Sequence, residues 1–480
     1  MLLGFPTTRV DGGEVESQDI RVFSPTLTIR ELGLQLDWLF QEGEMVGPNL
    51  FPSLDVLEQS KQVPIEAMNV SFFLSSEAAA RFNGDDPEDS NMLAVGVGAL
   101  GSQVLANLTR AGFGRWGAVD DDVFMPHNAA RHLLTAIHTG QSKAAEVAGV
   151  LNRNFDDQDL VRPFHENIFA TPTPELQQAL QEARVIVDFS ASVAAARHLA
   201  LNVQSPARRV SVFLSPSGRD LVVLAEDEGR TFTLDQLEVQ YYQWLWDNED
   251  LHDHLQRPDD LLWYGTGCRD VSSRLPQDLV ALHSATASRV LKGILKGKEA
   301  GIFLWRASPE TGEVTRLTLT PEVPLKYRTG GWTLQVSPTA LQKMQALRSA
   351  DLPGETGGTL IGTRDLPRKT LYVTGVLGAP EDSQKALKTF IRGSRKLLFT
   401  YERIRQVTLR NLTYLGEWHS HPDGVPARPS LDDIMMFTWL QEQLGVEGFP
   451  ALMGIVGQKD HHFFLDDLKP AVPMEEVQDA

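Results

Sequence analysis

Apolar and polar positions repeat with different periods in different parts of this 480-residue chain. In residues 29–44, IRELGLQLDWLFQEGE, apolar side chains recur at helical spacing and predict an amphipathic helix. The acidic, turn-rich stretch FNGDDPEDSN (82–91) marks a domain boundary. Beyond it, short apolar runs predict strands at 92–96, 116–120, 184–188, 209–214 and 219–225. Amphipathic segments lie between them; in the first, 102–111, Leu105, Leu108 and Ala111 share one face and predict a helix. Strands alternating with helices predict an α/β domain with a largely parallel sheet. The tract 305–331 is rich in turn residues, closes this domain and leads into a second α/β region from 332 to about 470. The expected division is an accessory region at 1–85 and domains at 86–330 and 331–480.

Composition narrows the functional classes. A chain this long exceeds one ordinary core, which agrees with several domains. It is 42% apolar with 22 Phe and 9 Trp, enough to fill those cores. Its 44 basic and 63 acidic residues leave a net charge of -19, which argues against sequence-independent binding to nucleic acid or anionic membranes. No apolar run approaches the length of a membrane span, and the opening MLLGFPTTRVDGGE lacks the features of a cleaved leader. The single cysteine, Cys268, excludes an intramolecular disulfide and points to a reducing, cytoplasmic location.

Candidate chemistry begins at Gly96-Val-Gly98-Ala-Leu-Gly101, which follows a predicted strand and opens a helix. Glycines there permit a tight turn and bring backbone N–H groups to a phosphate at the positive end of the helix. An acidic residue further on, Asp120 or Asp122, suits the ribose of a nicotinamide dinucleotide equally well. The polar residues that follow distinguish the two uses. VDDDVFMPHNAARHLL supplies Asn128 and Arg131, TGQSKAAEVAGVL supplies Lys143, and VIVDFSAS places Asp188 at a strand end. Hydride transfer needs no such cations. Splitting ATP between its α- and β-phosphates needs fixed positive charge for the departing pyrophosphate and a carboxylate for Mg²⁺.

In order and spacing, residues 92–225 resemble the adenylation domain of the ThiF/MoeB/ubiquitin-activating-enzyme family. The resemblance implies a Rossmann-like domain in which Gly96, Gly98, Gly101, Asp120 and Asp122 hold ATP, with Asp122 at the ribose. It further implies Asn128, Arg131 and Lys143 at the phosphates and Asp188 on Mg²⁺. The Cys-x-x-Cys pairs that give some members a structural zinc are absent. Cys268, in the polar, Gly-bearing stretch WYGTGCRD, stands where the conjugating branch carries its thioester cysteine, and Arg269 would favour the thiolate.

The stretch GEWHSHPDGVPARPSLDD (416–433) poses a second problem. On an extended segment His419 and His421 share a face, and two imidazoles with one carboxylate leave an open position on Zn²⁺. Ser430-x-x-Asp433 is a helix-capping pattern, and a helix start is also a rigid place from which to aim a carboxylate. Together with Glu355 before Gly-Gly-Thr-Leu-Ile-Gly, this arrangement resembles the JAB/MPN (JAMM) metallopeptidase family over about 332–467. The resemblance implies an α/β metallopeptidase domain with zinc on His419, His421 and Asp433, Glu355 as general base and Ser430 steadying the oxyanion. The family's usual spacing would select Asp432; Asp433 is preferred because Ser and Asp three apart share a helical turn. Glu417, a candidate support for the metal ligands, is read in preference as a solvated loop acid, and His461 and His462 receive no role.

The fusion implies one chain that adenylates, and through Cys268 thioesterifies, the C-terminal glycine of a ubiquitin-like protein, and that also cleaves precursors or conjugates. Such pairs occur in bacterial ubiquitin-like systems associated with antiphage defence. The implied partners are the ubiquitin-like protein and a separate conjugating enzyme, with a homodimer expected from adenylating relatives. Three readings compete: sulfur-carrier activation and trimming for cofactor or siderophore synthesis, an inactive scaffold that binds ubiquitin-like proteins, and a nicotinamide dehydrogenase fused to a peptidase.

Overall fold

The computed structural model describes residues 2–8, 13, 17–53, 55–68, 74–155, 159–256, 262–263, 271–272 and 275–474. The chain divides into two compact units, Met1–Leu74 and Ser75–Ala480. In the first, strands Leu2–Thr7 and Ile65–Met68 pair antiparallel with the two edges of Ser17–Pro25. The helix expected over 29–44 is only Ile29–Gln35, opened by a reciprocal Thr28–Glu31 cap. Asp37 then takes φ 59° and Gly43 φ 61°, and the chain turns back as the hairpin Leu39–Glu42/Met45–Pro48. Turn chemistry prevails over helical spacing here, because a glycine at positive φ closes a tight hairpin without strain.

The second unit begins with helix Ser76–Phe82, ahead of the acidic stretch. Its first sheet runs in the order Val314–Leu319, Gly301–Ala307, Asp220–Ala225, Arg208–Leu214, Val185–Asp188, Glu88–Val95, Phe113–Val119, Val161–Phe164. Strands from Arg208–Leu214 to Val161–Phe164 are parallel; the other three are antiparallel. The sheet is therefore mixed, a parallel run of five strands extended at one edge by three antiparallel ones. Residues 215–219 are too few for the crossover that a parallel partner requires. Helices Ala99–Arg110 and Gln277–Lys296 bury Val104, Leu105, Leu108, Ala287 and Leu291 in one apolar cluster with this sheet.

The second sheet runs His461–Leu465, Leu452–Val456, Thr413–Ser420, Gly357–Asp365, Thr370–Leu377, Trp332–Val336, Leu325–Thr329, Val472–Pro473. Helix Leu431–Val446 packs Phe437 and Leu440 against Met453, Ile455 and Phe464. Strand Gly357–Asp365 pairs antiparallel with Thr413–Ser420, placing Gly357 opposite His419. That register brings two segments far apart in sequence to one end of the sheet.

Helix Leu234–Asp247 joins the two halves of this unit. Leu237, Tyr241 and Leu245 share a buried cluster with Ile361, Ile404, Val407 and Leu412. Four of its polar side chains, Asp235, Gln236, Glu238 and Gln240, are buried too. Tyr372 donates its hydroxyl to Asp235 Oδ2 at 2.6 Å, Gln236 Nε2 donates to Gln335 at 2.9 Å, and Thr374 donates to Gln243 at 3.1 Å. Asp235 Oδ1 has no partner, so Tyr372 is what satisfies this carboxylate across the seam. Tyr372→Phe is expected to cost about 1–3 kcal/mol, read as a lower urea midpoint, because it strands a buried acceptor. An unchanged midpoint would mean that water replaces the hydroxyl. Among the described residues no helix is long and apolar enough to cross a membrane.

Candidate functional site

Two clefts in the second unit gather most of the chemically interesting residues. The first, about 270 Å³, lies at the carboxyl ends of the parallel strands and is lined by Gly96, Gly98, Asp120, Asp122 and Lys143. Gly96 adopts φ +85°, where a side chain would also press on the Ser190 backbone. A Cβ on Gly101 would overlap the Gly96 carbonyl, so this third glycine lets the helix close on the turn rather than lining the cleft. Gly98 caps the twelve-residue helix Ala99–Arg110, whose free N–H groups suit an anion.

The carboxylates divide the work. Asp120 Oδ2 accepts the Val97 N–H at 2.8 Å and Oδ1 the Asp122 N–H at 2.9 Å, so it braces the turn from within. Burial pushes the Asp120 carboxyl above its usual range despite these bonds. Asp122 is exposed and accepts Lys143 Nζ at 2.8 Å, while the Lys143 stem is buried. Asn128 accepts the Met125 N–H at 2.8 Å, and Arg131 Nη1 donates to the Leu275 carbonyl at 3.4 Å; neither lines the cleft. Asp188 is 1% exposed and also lies off the cleft lining. Its Oδ1 accepts the N–H and hydroxyl of Ser190, and its Oδ2 accepts the Ser211 hydroxyl. Burial raises this carboxyl against those bonds. Backbone donors and Lys143 fit a nucleotide triphosphate; Mg²⁺ on Asp188 requires the Ser190 bonds to be exchanged for metal. Cys268 and Arg269 lie outside the described residues.

The second cleft, about 1030 Å³, contains Glu355, His419, His421, Ser430, Asp432 and Asp433. Thr413–Ser420 is extended through His419, and His421 continues beside it with its N–H on the Val456 carbonyl, so both imidazoles reach one side. Ser420, pointing the other way, accepts the Thr356 N–H at 3.0 Å and so ties the Glu355 segment to the histidine strand. Arg348, buried, donates from Nε to the His421 carbonyl and from Nη2 to Asp423. No local sequence signal points to Ser420 or Arg348, because each works through a partner more than 60 residues away.

His419 Nε2 stands 3.1 Å from Asp433 Oδ1, and His421 Nε2 3.7 Å from Asp433 Oδ2. Nε2 of His419 is buried and, lacking the alignment of a hydrogen bond, has no partner. His421 places Nδ1 2.7 Å from the Pro426 carbonyl, which can only accept, so Nδ1 carries hydrogen and Nε2 is the free ligand atom. One ligand atom from each of His419, His421 and Asp433 lies within 4.8 Å of the others. Burial would raise the Asp433 carboxyl, but the two imidazoles outweigh it and hold the group far below the usual range. Burial raises Glu355, with His421 and His419 only partly offsetting it. Two imidazoles and a carboxylate whose ligand atoms converge, one of them a buried nitrogen without a hydrogen bond, fit a zinc ion.

Ser430 forms the cap anticipated at the start of Leu431–Val446: its hydroxyl accepts the Asp433 N–H, and Asp433 Oδ2 accepts the Ser430 N–H at 2.7 Å. The cap orients Asp433 toward the histidines, whereas Asp432 lines the cleft without joining them. Asp433→Asn is therefore expected to lower zinc content at least about tenfold by metal analysis while Asp432→Asn keeps it; the reverse would select Asp432. Glu417 is not a solvated loop acid. It sits in the strand, accepting Arg392 Nε at 2.7 Å and the Tyr414 hydroxyl at 2.8 Å, with only 12% of its side chain exposed. His461 and His462 lie in strand His461–Leu465, with His461 against the Tyr327 hydroxyl at 2.7 Å.

Comparison with known proteins gives each half a family. The ThiF family matches residues 82–210, and the prokaryotic homologs of the JAB domain match residues 337–464. An ATP-dependent ubiquitin transferase-like protein, Cap2, of Enterobacter hormaechei subsp. hoffmannii (strain UCI 50) is 28% identical over 39% of this chain, which spans 30% of that protein's length. A CD-NTase/cGAS isopeptidase of the same organism is 32% identical over 26% of this chain and 68% of its own length. The crystal structure of E. coli MccB covers 48% of this chain and 63% of MccB, at 14% identity and a TM-score of 0.33. The chain belongs to the family of the CD-NTase/cGAS isopeptidase and combines a ThiF-family domain at 82–210 with a prokaryotic JAB domain at 337–464.

Proposed function

We propose that this chain is a bifunctional enzyme of a bacterial ubiquitin-like, antiphage system that works in the cytoplasm. One half adenylates the C-terminal glycine of a ubiquitin-like protein; the other hydrolyses the amide that this glycine forms in precursors or conjugates. The observation that carries the reading is the convergence of His419, His421 and Asp433 in one cleft with Glu355. The ThiF-family match and the ubiquitin transferase-like relative support the ATP-dependent half.

Zinc, when bound by His419, His421 and Asp433, would supply the Lewis acid that activates water and polarises the carbonyl. Glu355 takes a proton from the attacking water and returns it to the departing lysine or peptide amine. The half-buried position that raises its carboxyl suits both steps. Ser430 already accepts from Asp433, so its own hydroxyl proton remains for the developing oxyanion. In the first cleft the glycine carboxylate attacks the α-phosphorus and pyrophosphate leaves. Lys143 and the helix N-terminus balance the charge of the departing group. Arg131, which lies off the cleft lining and donates to the Leu275 carbonyl, is the third positive group assigned to that charge. The adenylate then passes its acyl group to the Cys268 thiol, releasing AMP, and a separate conjugating enzyme receives the thioester.

Labelled pyrophosphate should enter ATP only when a protein ending in glycine is present. An isopeptide-linked conjugate of that protein should be cut, with 1,10-phenanthroline stopping the cut and Zn²⁺ restoring it. Exchange without cleavage would remove the hydrolytic half; cleavage without exchange would remove the other.

A further inference from the structure

The segment after Arg131 is fastened to the glycine turn by a histidine. His132 Nε2 lies 2.6 Å from the Val97 carbonyl, and the Leu134 N–H donates to His132 Nδ1 at 3.1 Å. A carbonyl only accepts and a backbone N–H only donates, so these contacts select the neutral ring with its hydrogen on Nε2. Phe124 packs edge-on against the ring at 5.2 Å. Burial, aided by the charges of Lys143 and His138 and opposed by the Val97 carbonyl, pushes His132 down to about 4.

Val97 is the middle residue of Gly96-Val97-Gly98, and its N–H is taken by Asp120. Both polar backbone groups of this residue are thus gripped by side chains from different parts of the fold. Two more bonds extend the fastening: Gln103 Nε2 donates to the Arg131 carbonyl at 2.8 Å, and the Leu133 N–H donates to Ser102 Oγ at 3.2 Å. Gly96 and Gly101 are closely packed and Val97 is buried, but a Cβ on Gly98 would meet nothing, so at that end of the turn the bonds to Val97 add a restraint that packing does not supply.

We propose that His132 is a positioning residue for nucleotide: through the Val97 carbonyl it holds the N–H groups of the glycine turn in phosphate-binding geometry and sets the Asn128–Arg131 segment against them. The proposal rests on the first cleft being an ATP site. An ordinary core histidine would be replaceable by any side chain that fills its volume. A positioning histidine needs its donor and its acceptor.

His132→Phe keeps the aromatic packing and removes both bonds; His132→Gln restores a donor and an acceptor on one side chain. The full chain, loaded with zinc, is titrated calorimetrically with Mg²⁺ and α,β-methylene-ATP, which needs no protein substrate. His132→Phe should weaken binding at least about tenfold, the effect of one lost hydrogen bond, and His132→Gln should return it to within about threefold of the parent. Amide exchange over residues 97–104 should rise in the first variant and fall back in the second, with zinc content unchanged in both. Parent-like binding by His132→Phe overturns the proposal, as does equal loss in both variants. Should His132→Phe fail to retain zinc, His132→Gln alone decides: parent-like affinity supports the proposal and a tenfold loss defeats it. A parent chain that does not bind the analogue overturns the ATP reading itself, and the proposal with it.

Discussion

Glu355→Gln is expected to lower isopeptide cleavage by about a thousandfold, within the ~10²–10⁴ range for loss of a general acid–base group, at unchanged zinc content. The two readouts separate because Glu355 is not among the converging ligand atoms of His419, His421 and Asp433. Glutamine preserves the size of the side chain and removes its capacity to take and return a proton. Its backbone N–H still donates to the Ala386 carbonyl at 2.9 Å, so the local fold has little reason to change. Loss of zinc in this variant would make Glu355 a ligand. Retained cleavage would move the base elsewhere.

Lys143→Met is expected to lower pyrophosphate exchange by about 10²–10³-fold at saturating ATP, comparable to removing a preorganised donor from a developing charge. Methionine keeps the buried apolar stem. The partner left behind, Asp122, has 68% of its side chain exposed and is readily solvated, so loss of the ion pair costs little stability. A large effect would therefore be chemical. Cleavage by the other half, which does not use Lys143, should stay at the parent rate and serves as the check on folding. Exchange within about threefold of the parent would remove Lys143 from the phosphates.

Much of the second cleft could be read from spacing. Two histidines two apart on an extended segment share a side, and Ser430 and Asp433 three apart close a cap, because periods of two and 3.6 residues determine which side chains can meet. Glu355 came from a resemblance, since its nearness to the histidines depends on the pairing of Gly357 with His419 across two distant strands. The first cleft was less legible. Gly101, Asn128, Arg131 and Asp188 belong to the motif but not to the cleft lining, and His132 carries no motif signal at all. The burial of Glu417 has no local signal, because it comes from Arg392, which is distant in sequence, and from the Tyr414 hydroxyl.

The sequence by itself determined that two α/β regions follow one another, that a glycine turn opens a helix in the first and that Ser430 and Asp433 cap a helix in the second, because these follow from local periodicity and turn chemistry. Only the tertiary structure decided that the first sheet turns antiparallel after Leu214, that Asp188 lies beneath Ser190, and that both domains share one compact unit. It also decided that Asp235 and Gln236 of Leu234–Asp247 face another domain rather than water. A buried polar group is stable only where a partner reaches it, and that partner can be set by packing between residues more than a hundred positions apart, as Asp235 and Tyr372 are.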